Sequence, residues 1–299
     1  LAPKDLLQIP ALMMVTGLTS GLLLGAPPPE PAHWATAALL LLMTLSLSEM
    51  PLGGLGTSLR RAPAGAALNL GLLSTLFLGI SLVGPGDLRA GWIIMAAVPS
   101  AVSVVPFTLI LKGDLHLTVA STLLLYTMAL AITPLITLTL VGAAVQPWEL
   151  LRILLLLVAL PLILSRPVAW ARLPREPVRA VRNLSFFLLN FTVGAVNRPT
   201  LVAEPLMALA AAGGCALVVL TAFVVTVVLL KAGGRGGPEA TSLLLLSTYK
   251  NSGLAATMAL ALLGSRPEAL LPPTMMLVFE VGWITFLVRW VPRHGPGAW

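Results

Sequence analysis

Long apolar stretches separated by short polar or Gly/Pro-rich breaks run the length of the chain, with no series of short segments alternating at the strand period of two. A bilayer core roughly 30 Å thick needs about 20 apolar residues per crossing helix. Runs of that kind fall at 5–25, 32–52, 64–84, 89–112, 115–142, 149–165, 182–197, 201–231, 239–264 and 267–291. The breaks carry turn chemistry, as in Ala26-Pro27-Pro28-Pro29, Gly84-Pro85-Gly86-Asp87 and Gly233-Gly234-Arg235-Gly236-Gly237-Pro238. Run 182–197 is short and holds Asn190 and Asn197. The pattern predicts an all-α polytopic membrane protein with ten transmembrane helices.

Composition narrows the class further. Of 299 residues 58% are apolar and 10% charged, with a mean hydropathy of +0.97. Soluble domains average about 25% charged residues, so a soluble globule is excluded. High hydrophobicity excludes disorder, and the missing strand alternation excludes an outer-membrane barrel. The single cysteine, Cys215, rules out an internal disulfide or a thiolate metal cluster and reads as a small buried hydrophobe. The net charge of +7 is not gathered into a basic patch with aromatics, so no nucleic acid is implied.

The basic residues instead report orientation. Lys4, Arg60, Arg61, Lys112, Arg166, Arg172, Arg175, Arg179, Arg182, Lys231, Arg235, Arg289 and Arg293 fall on one side, against Arg89, Arg152, Arg198 and Arg266 on the other. Thirteen against four predicts both termini on the cytoplasmic side of an inner or plasma membrane. Arg166 to Arg182 reads as a cytoplasmic amphipathic connector touching anionic headgroups. Trp34, Trp92, Trp148, Trp170, Trp290 and Trp299 lie near span ends, where an aromatic belt belongs.

An internal repeat gives the few interior polar residues a context. Segments 90–114 and 241–265 are offset by 151 residues, and both close on a glycine, Gly113 and Gly264, before a polar residue. Each is interrupted at the same place, by Pro99-Ser100 in one and Lys250-Asn251-Ser252-Gly253 in the other. Residues 1–142 and 149–299 then form two inverted five-span repeats joined by connector 143–148, with spans 4 and 9 discontinuous. An unpaired backbone group in hydrocarbon costs several kcal/mol, so unwound stretches persist where they line a site. A matched pair of them points to a midplane binding site of a secondary transporter, with half-helix N-termini offering N–H groups to anions. The competing interpretation is that Pro99 and Gly253 merely kink packed helices.

Lys250 and Glu280 are the charges left near span centres. A lysine at a helix centre costs about 2.5–3.5 kcal/mol on the insertion scale, which marks Lys250 as functional or permanently paired. Its ammonium either pairs with carbonyl ends of the broken helices or exchanges a proton. Glu280 is its natural intramembrane partner if the helices bring them together, and otherwise faces a water-filled cavity alone. Asn251, Ser252, Ser100 and Ser103 at the two interruptions are candidate substrate contacts. Ser247, Thr248 and Tyr249 lie just ahead of the second interruption. Such side chains more often hydrogen-bond a neighbouring helix. Glu49 reads as an interfacial carboxylate near Arg60 and Arg61, and His116 as an interfacial residue.

Three stretches resemble the bile acid:sodium symporter family. Pro99 through Pro134 is similar to its fourth and fifth spans, closing on Thr133-Pro134-Leu135. Lys250-Asn251-Ser252-Gly253-Leu254-Ala255 is similar to its crossover motif, and Met43-Thr44-Leu45-Ser46-Leu47 to the end of its second span. The resemblance implies a panel domain of spans 1, 2, 6 and 7 and a core domain of spans 3–5 and 8–10, with spans 4 and 9 crossing. Its sodium-site hydroxyls match Thr118 and Thr122, and a span-3 amide matches Asn69, so the resemblance implies a Lys250 ammonium in the place of sodium, with Thr118, Thr122 or Asn69 as partners. It also implies that Asn190 and Asn197 of span 7 line the cavity between the domains as substrate contacts. Its span-4 Asn falls on Val105, its span-9 Glu on Leu246 and its Gln on Lys250, so an oxygen cage has lost its carboxylate and gained an ammonium. Sodium coupling is not expected from such a site.

The expected function is a sodium-independent carrier or exchanger of a small organic anion, with the bilayer as its other partner and no cofactor or metal. The alternative is a carrier like the cation/proton antiporters, with a proton-coupled site centred on Lys250; no Asp follows Asp114, and Asp5, Asp87 and Asp114 read as loop or span-end residues. No HExxH, nucleophile elbow or Walker motif is present to suggest an enzyme, and no filter motif to suggest a channel.

Overall fold

A computed structural model describes residues 10–294. Lys4, Asp5, Trp299, the start of run 5–25 and the side chain of Arg293 lie outside the described residues. All described regular structure is helical. The helices are α1 Pro10–Leu24, α2 Pro31–Ser48, α3 Gly56–Val83, α4 Arg89–Ala97, α5 Val104–Ile110 and α6 Leu115–Leu140. After them come α7 Pro147–Trp170, α8 Arg175–Ala203, α9 Pro205–Ala232, α10 Gly237–Thr248, α11 Ser252–Leu262 and α12 Leu271–His294. Six helices, α2, α3, α6, α7, α9 and the stretch Pro267–Pro292, are long and apolar enough to cross a membrane. The chain is a helical membrane protein by length and composition of these elements.

Local chemistry sets many boundaries. Pro31, Pro147 and Pro205 open their helices, where a missing N–H costs nothing. Asp114 caps α6 by accepting from the Leu117 N–H at 3.0 Å. Gly25 ends α1 with a φ of 60°, a conformation that suits glycine. Within α3 the ladder widens to a π stretch over Ala67–Leu73, an insertion often found at functional sites.

α1 and α8 lie close because small residues face each other. A Cβ at Gly17 or Gly21 would meet the carbonyl oxygens of Phe187 or Phe191, and one at Gly194 would come within 2.7 Å of the Leu18 oxygen. α2 packs on α7 and α8, while α3, α4, α6, α10, α11 and α12 contact one another around the two helix breaks.

Several expectations change. Arg175–Arg182 forms the first turns of α8, so it is no separate connector; the turn is residues 171–174. Trp92 is 1% exposed, stacked on Phe77 and against Gly214, rather than part of an aromatic belt. Glu49 pairs with Arg182 across to α8, and Arg61 pairs instead with Asp114 and Glu239 at 2.9 and 3.1 Å. Cys215 is buried in the core and His116 is exposed, as their surroundings in the sequence suggest.

Candidate functional site

The chain unwinds at 98–103 between α4 and α5 and at 249–251 between α10 and α11. The two breaks touch: the Asn251 N–H donates to the Pro99 oxygen at 2.8 Å. In an apolar interior every freed carbonyl needs a donor. Ala96 receives the Ser74 hydroxyl at 2.6 Å and Ala97 the Thr133 hydroxyl at 2.8 Å. The Asn69 amide spans the end of α10, donating to Leu246 O at 2.7 Å and Tyr249 O at 2.9 Å. The π stretch of α3 is what brings Asn69 and Ser74 to these two ends.

Lys250 completes the set. Its Nζ donates to Ser74 Oγ at 2.7 Å, Val98 O at 2.8 Å and Ala96 O at 3.2 Å, and the residue is 0% exposed. Ser74 spends its own proton on the Ala96 carbonyl, so all three of these groups accept from the lysine. Three acceptors match the three N–H groups of an ammonium. The residue is therefore seated on carbonyl ends of a broken helix. It makes no hydrogen bond to Thr118, Thr122 or Asn69. Thr118 bonds Thr108 Oγ1 at 2.9 Å and the Asp114 carbonyl, while the buried Thr122 hydroxyl has no partner among the described residues.

Glu280 is not its partner. The carboxylate accepts from the Ser252 hydroxyl, the first residue of α11, and no ion pair joins it to Lys250. Glu280 is 6% exposed and lines a cavity of about 350 Å³ between α5, α8 and α12. That cavity is walled by Met14, Val102, Val105, Phe107, Phe186 and Ile284 and reaches the Glu49–Arg182 pair. Glu280, Ser103, Val102, Met14 and Phe186 also border a smaller pocket of about 30 Å³, closed by Asn251, Ser252, Gly253 and Asn190. It has room for a few waters at most.

Of the candidate contacts, Asn251, Ser252, Ser103 and Asn190 thus gather at this pocket. Asn190 also donates to the Phe186 carbonyl at 2.8 Å. Ser100 is buried with no partner for its hydroxyl, and it does not line the pocket. Asn197 is elsewhere: it donates to Val193 O at 2.9 Å and Thr274 Oγ1 at 2.8 Å, two turns along α8. Lys250 does not reach the cavity. Ser247 and Thr248 bond within their own helix.

Ser74, Thr133 and Tyr126 also stand at this candidate site, and the sequence reading did not name them as site residues. Asn251 donates to Tyr126 Oη at 2.7 Å and caps α11 by accepting from the Leu254 N–H at 2.9 Å. The chain has two tyrosines, and both stand here, Tyr249 at the break and Tyr126 beside Asn251. That scarcity was a usable signal. No protein-family model matches the chain, and no curated protein matches it.

Proposed function

We propose that the chain is a secondary carrier that moves a small organic anion across a membrane by alternating access around the meeting of two broken helices, without sodium. The observation that carries this reading is the seat of Lys250. A tethered ammonium fills, on three oxygens at the end of α4, the kind of place where a carrier would otherwise hold a coupling cation. The resemblance to the bile acid:sodium symporter family, at Pro99–Pro134 and Lys250–Ala255, points the same way.

On this reading α1, α2, α7 and α8 form the panel and the remaining helices the core. Residues 1–142 and 149–299 are then inverted repeats of five spans, with α4–α5 and α10–α11 each counting as one broken span. The packing of α1 on α8 and of α2 on α7 and α8 supports that division. With both termini cytoplasmic, the cavity mouth at Glu49 and Arg182 opens to the cytoplasm, and the substrate site is the pocket at Ser252, Asn251, Ser103 and Asn190. The apolar wall suits an anion with a hydrophobic body. Lys250 supports the anion by its fixed charge behind the break rather than by contact.

The test is uptake into proteoliposomes of labelled small carboxylates, covering keto, steroid, pantoate-like and auxin-like acids, with sodium replaced by choline. Uptake indifferent to the replacement is expected, and strict sodium dependence would overturn the reading.

A further inference from the structure

The cavity places a single buried carboxylate where a substrate carboxylate would have to bind. Glu280 borders both the large cavity and the small pocket, and its hydrogen-bond donor there is the hydroxyl of Ser252. It has no counter-ion among the described residues: the interior cation Lys250 donates all three of its protons to Ser74, Ala96 and Val98, and Arg182 pairs with Glu49. From the elements packed on α12, the titratable groups that face Glu280 are Cys215 of α9 and Tyr249, whose hydroxyl donates to the Glu280 backbone oxygen at 3.5 Å. Arg182 of α8 and Glu49 of α2 stand in the outer part of the same cavity, already paired with each other. α1, α4 and α11 bring no titratable side chain to the cavity among the described residues.

A second carboxylate entering this pocket meets a like charge in a medium of low dielectric, where the repulsion is large. One proton shared into the pair removes it, and paired acids in one site behave in that way. Charge counting leads to the same stoichiometry. Lys250 and Glu280 sum to zero in the empty site, and an anion alone would leave one negative charge to be carried through the bilayer.

We propose that Glu280 is the proton-coupling residue of this site: its carboxylate holds the Ser252 hydroxyl while the site is empty, and takes a proton as a substrate carboxylate replaces it there. This rests on the reading of the chain as an organic-anion carrier. The proton comes from cavity water to a Glu280 carboxylate oxygen, and the Ser252 hydroxyl turns to the substrate. On release at the far side Glu280 returns the proton to water and takes back the hydroxyl. One proton moves with each monocarboxylate, and the cycle carries no net charge.

The experiment uses the full chain in proteoliposomes, with labelled pyruvate and cholate as probes and protein-free vesicles as the blank. In the wild type, accumulation above the blank should change about tenfold per unit of imposed pH gradient, as one coupled proton requires. Counterflow of the probe, measured with no gradient, should vary with pH in the wild type and in Glu280→Asp. In Glu280→Gln whatever exchange remains should be flat with pH. Infrared difference spectra should show a protonated-carboxyl band on adding the probe, missing from Glu280→Gln. Should Glu280→Gln fail to fold, the wild-type spectrum decides by itself, since no new carboxyl band on probe binding overturns the proposal. Counterflow without coupling to protons, or coupling that survives in Glu280→Gln, overturns the role of Glu280 and leaves the carrier standing. An absence of counterflow for both probes in the wild type removes the anion carrier and this inference together.

Discussion

Lys250 lies within the break between α10 and α11, Glu280 faces the start of α11 from α12, and the two do not pair. The ammonium is spent on Ser74, Ala96 and Val98, and the carboxylate on Ser252. Two opposite charges near the middle of one bundle are thereby given separate tasks, one holding unwound backbone together and one meeting the cavity.

Replacing Lys250 by Met keeps the volume and removes the donors. The Val98 carbonyl loses its donor, worth about 1–3 kcal/mol when left unsatisfied, while the Ala96 carbonyl keeps the Ser74 hydroxyl. Thermal unfolding in detergent should register the loss, and uptake of every carboxylate tested should cease. A Lys250→Met protein as stable as the wild type would mean that the ammonium is not holding the break.

Asn251 has two jobs that can be measured apart. Asn251→Ala removes the cap of α11 and the bond to Tyr126, with an expected cost of about 1–2 kcal/mol. Tyr126→Phe removes the phenol alone and should cost about 0.5–1.5 kcal/mol. The double variant should cost less than the sum, and full additivity in a double-mutant cycle would show that the two side chains do not act together.

Arg61 ties Asp114 at the start of α6 to Glu239 near the start of α10. Its side chain is 40% exposed, so Arg61→Gln should lower stability by only about 0–1 kcal/mol. The deficit should shrink further in high salt, read as the difference in Tm between the two proteins at low and high ionic strength.

Gly194 tests the seam between α1 and α8. A side chain there meets the Leu18 carbonyl and the backbone of Leu22, which cannot step aside. Gly194→Val should destabilise by about 1–3 kcal/mol, as overpacking usually does. Gly213, with open space around its Cβ position, is the control and should accept Ala without loss, since helix propensity favours Ala over Gly.

Much of this arrangement is legible in the residues, for physical reasons. Hydropathy locates apolar helix because burial in lipid demands it, and the breaks fall at Pro99 and Lys250, where the two segments carry their polar interruptions. Hydropathy does not locate helix that continues into polar surroundings. α8 begins at Arg175 and α3 at Gly56, both before the apolar runs start. The direction of a side chain is less legible still. Lys250 and Glu280 read as partners because opposite charges in lipid attract, but carbonyls released by an unwound helix compete for the same ammonium and hold it. Ser74 is one of many interior hydroxyls, and only the widened turns of α3 distinguish it.

Those widened turns have a mechanical consequence. One continuous helix grips the stump of α10 through Asn69 and the stump of α4 through Ser74, so α3 is a strut clamped to both broken rods. As long as it stays helical, the rods cannot slide past each other or part. If the chain works as the proposed carrier, motion that opens the far end of the cavity leaves this joint intact and takes place at the seam where Phe186 and Met14 face it.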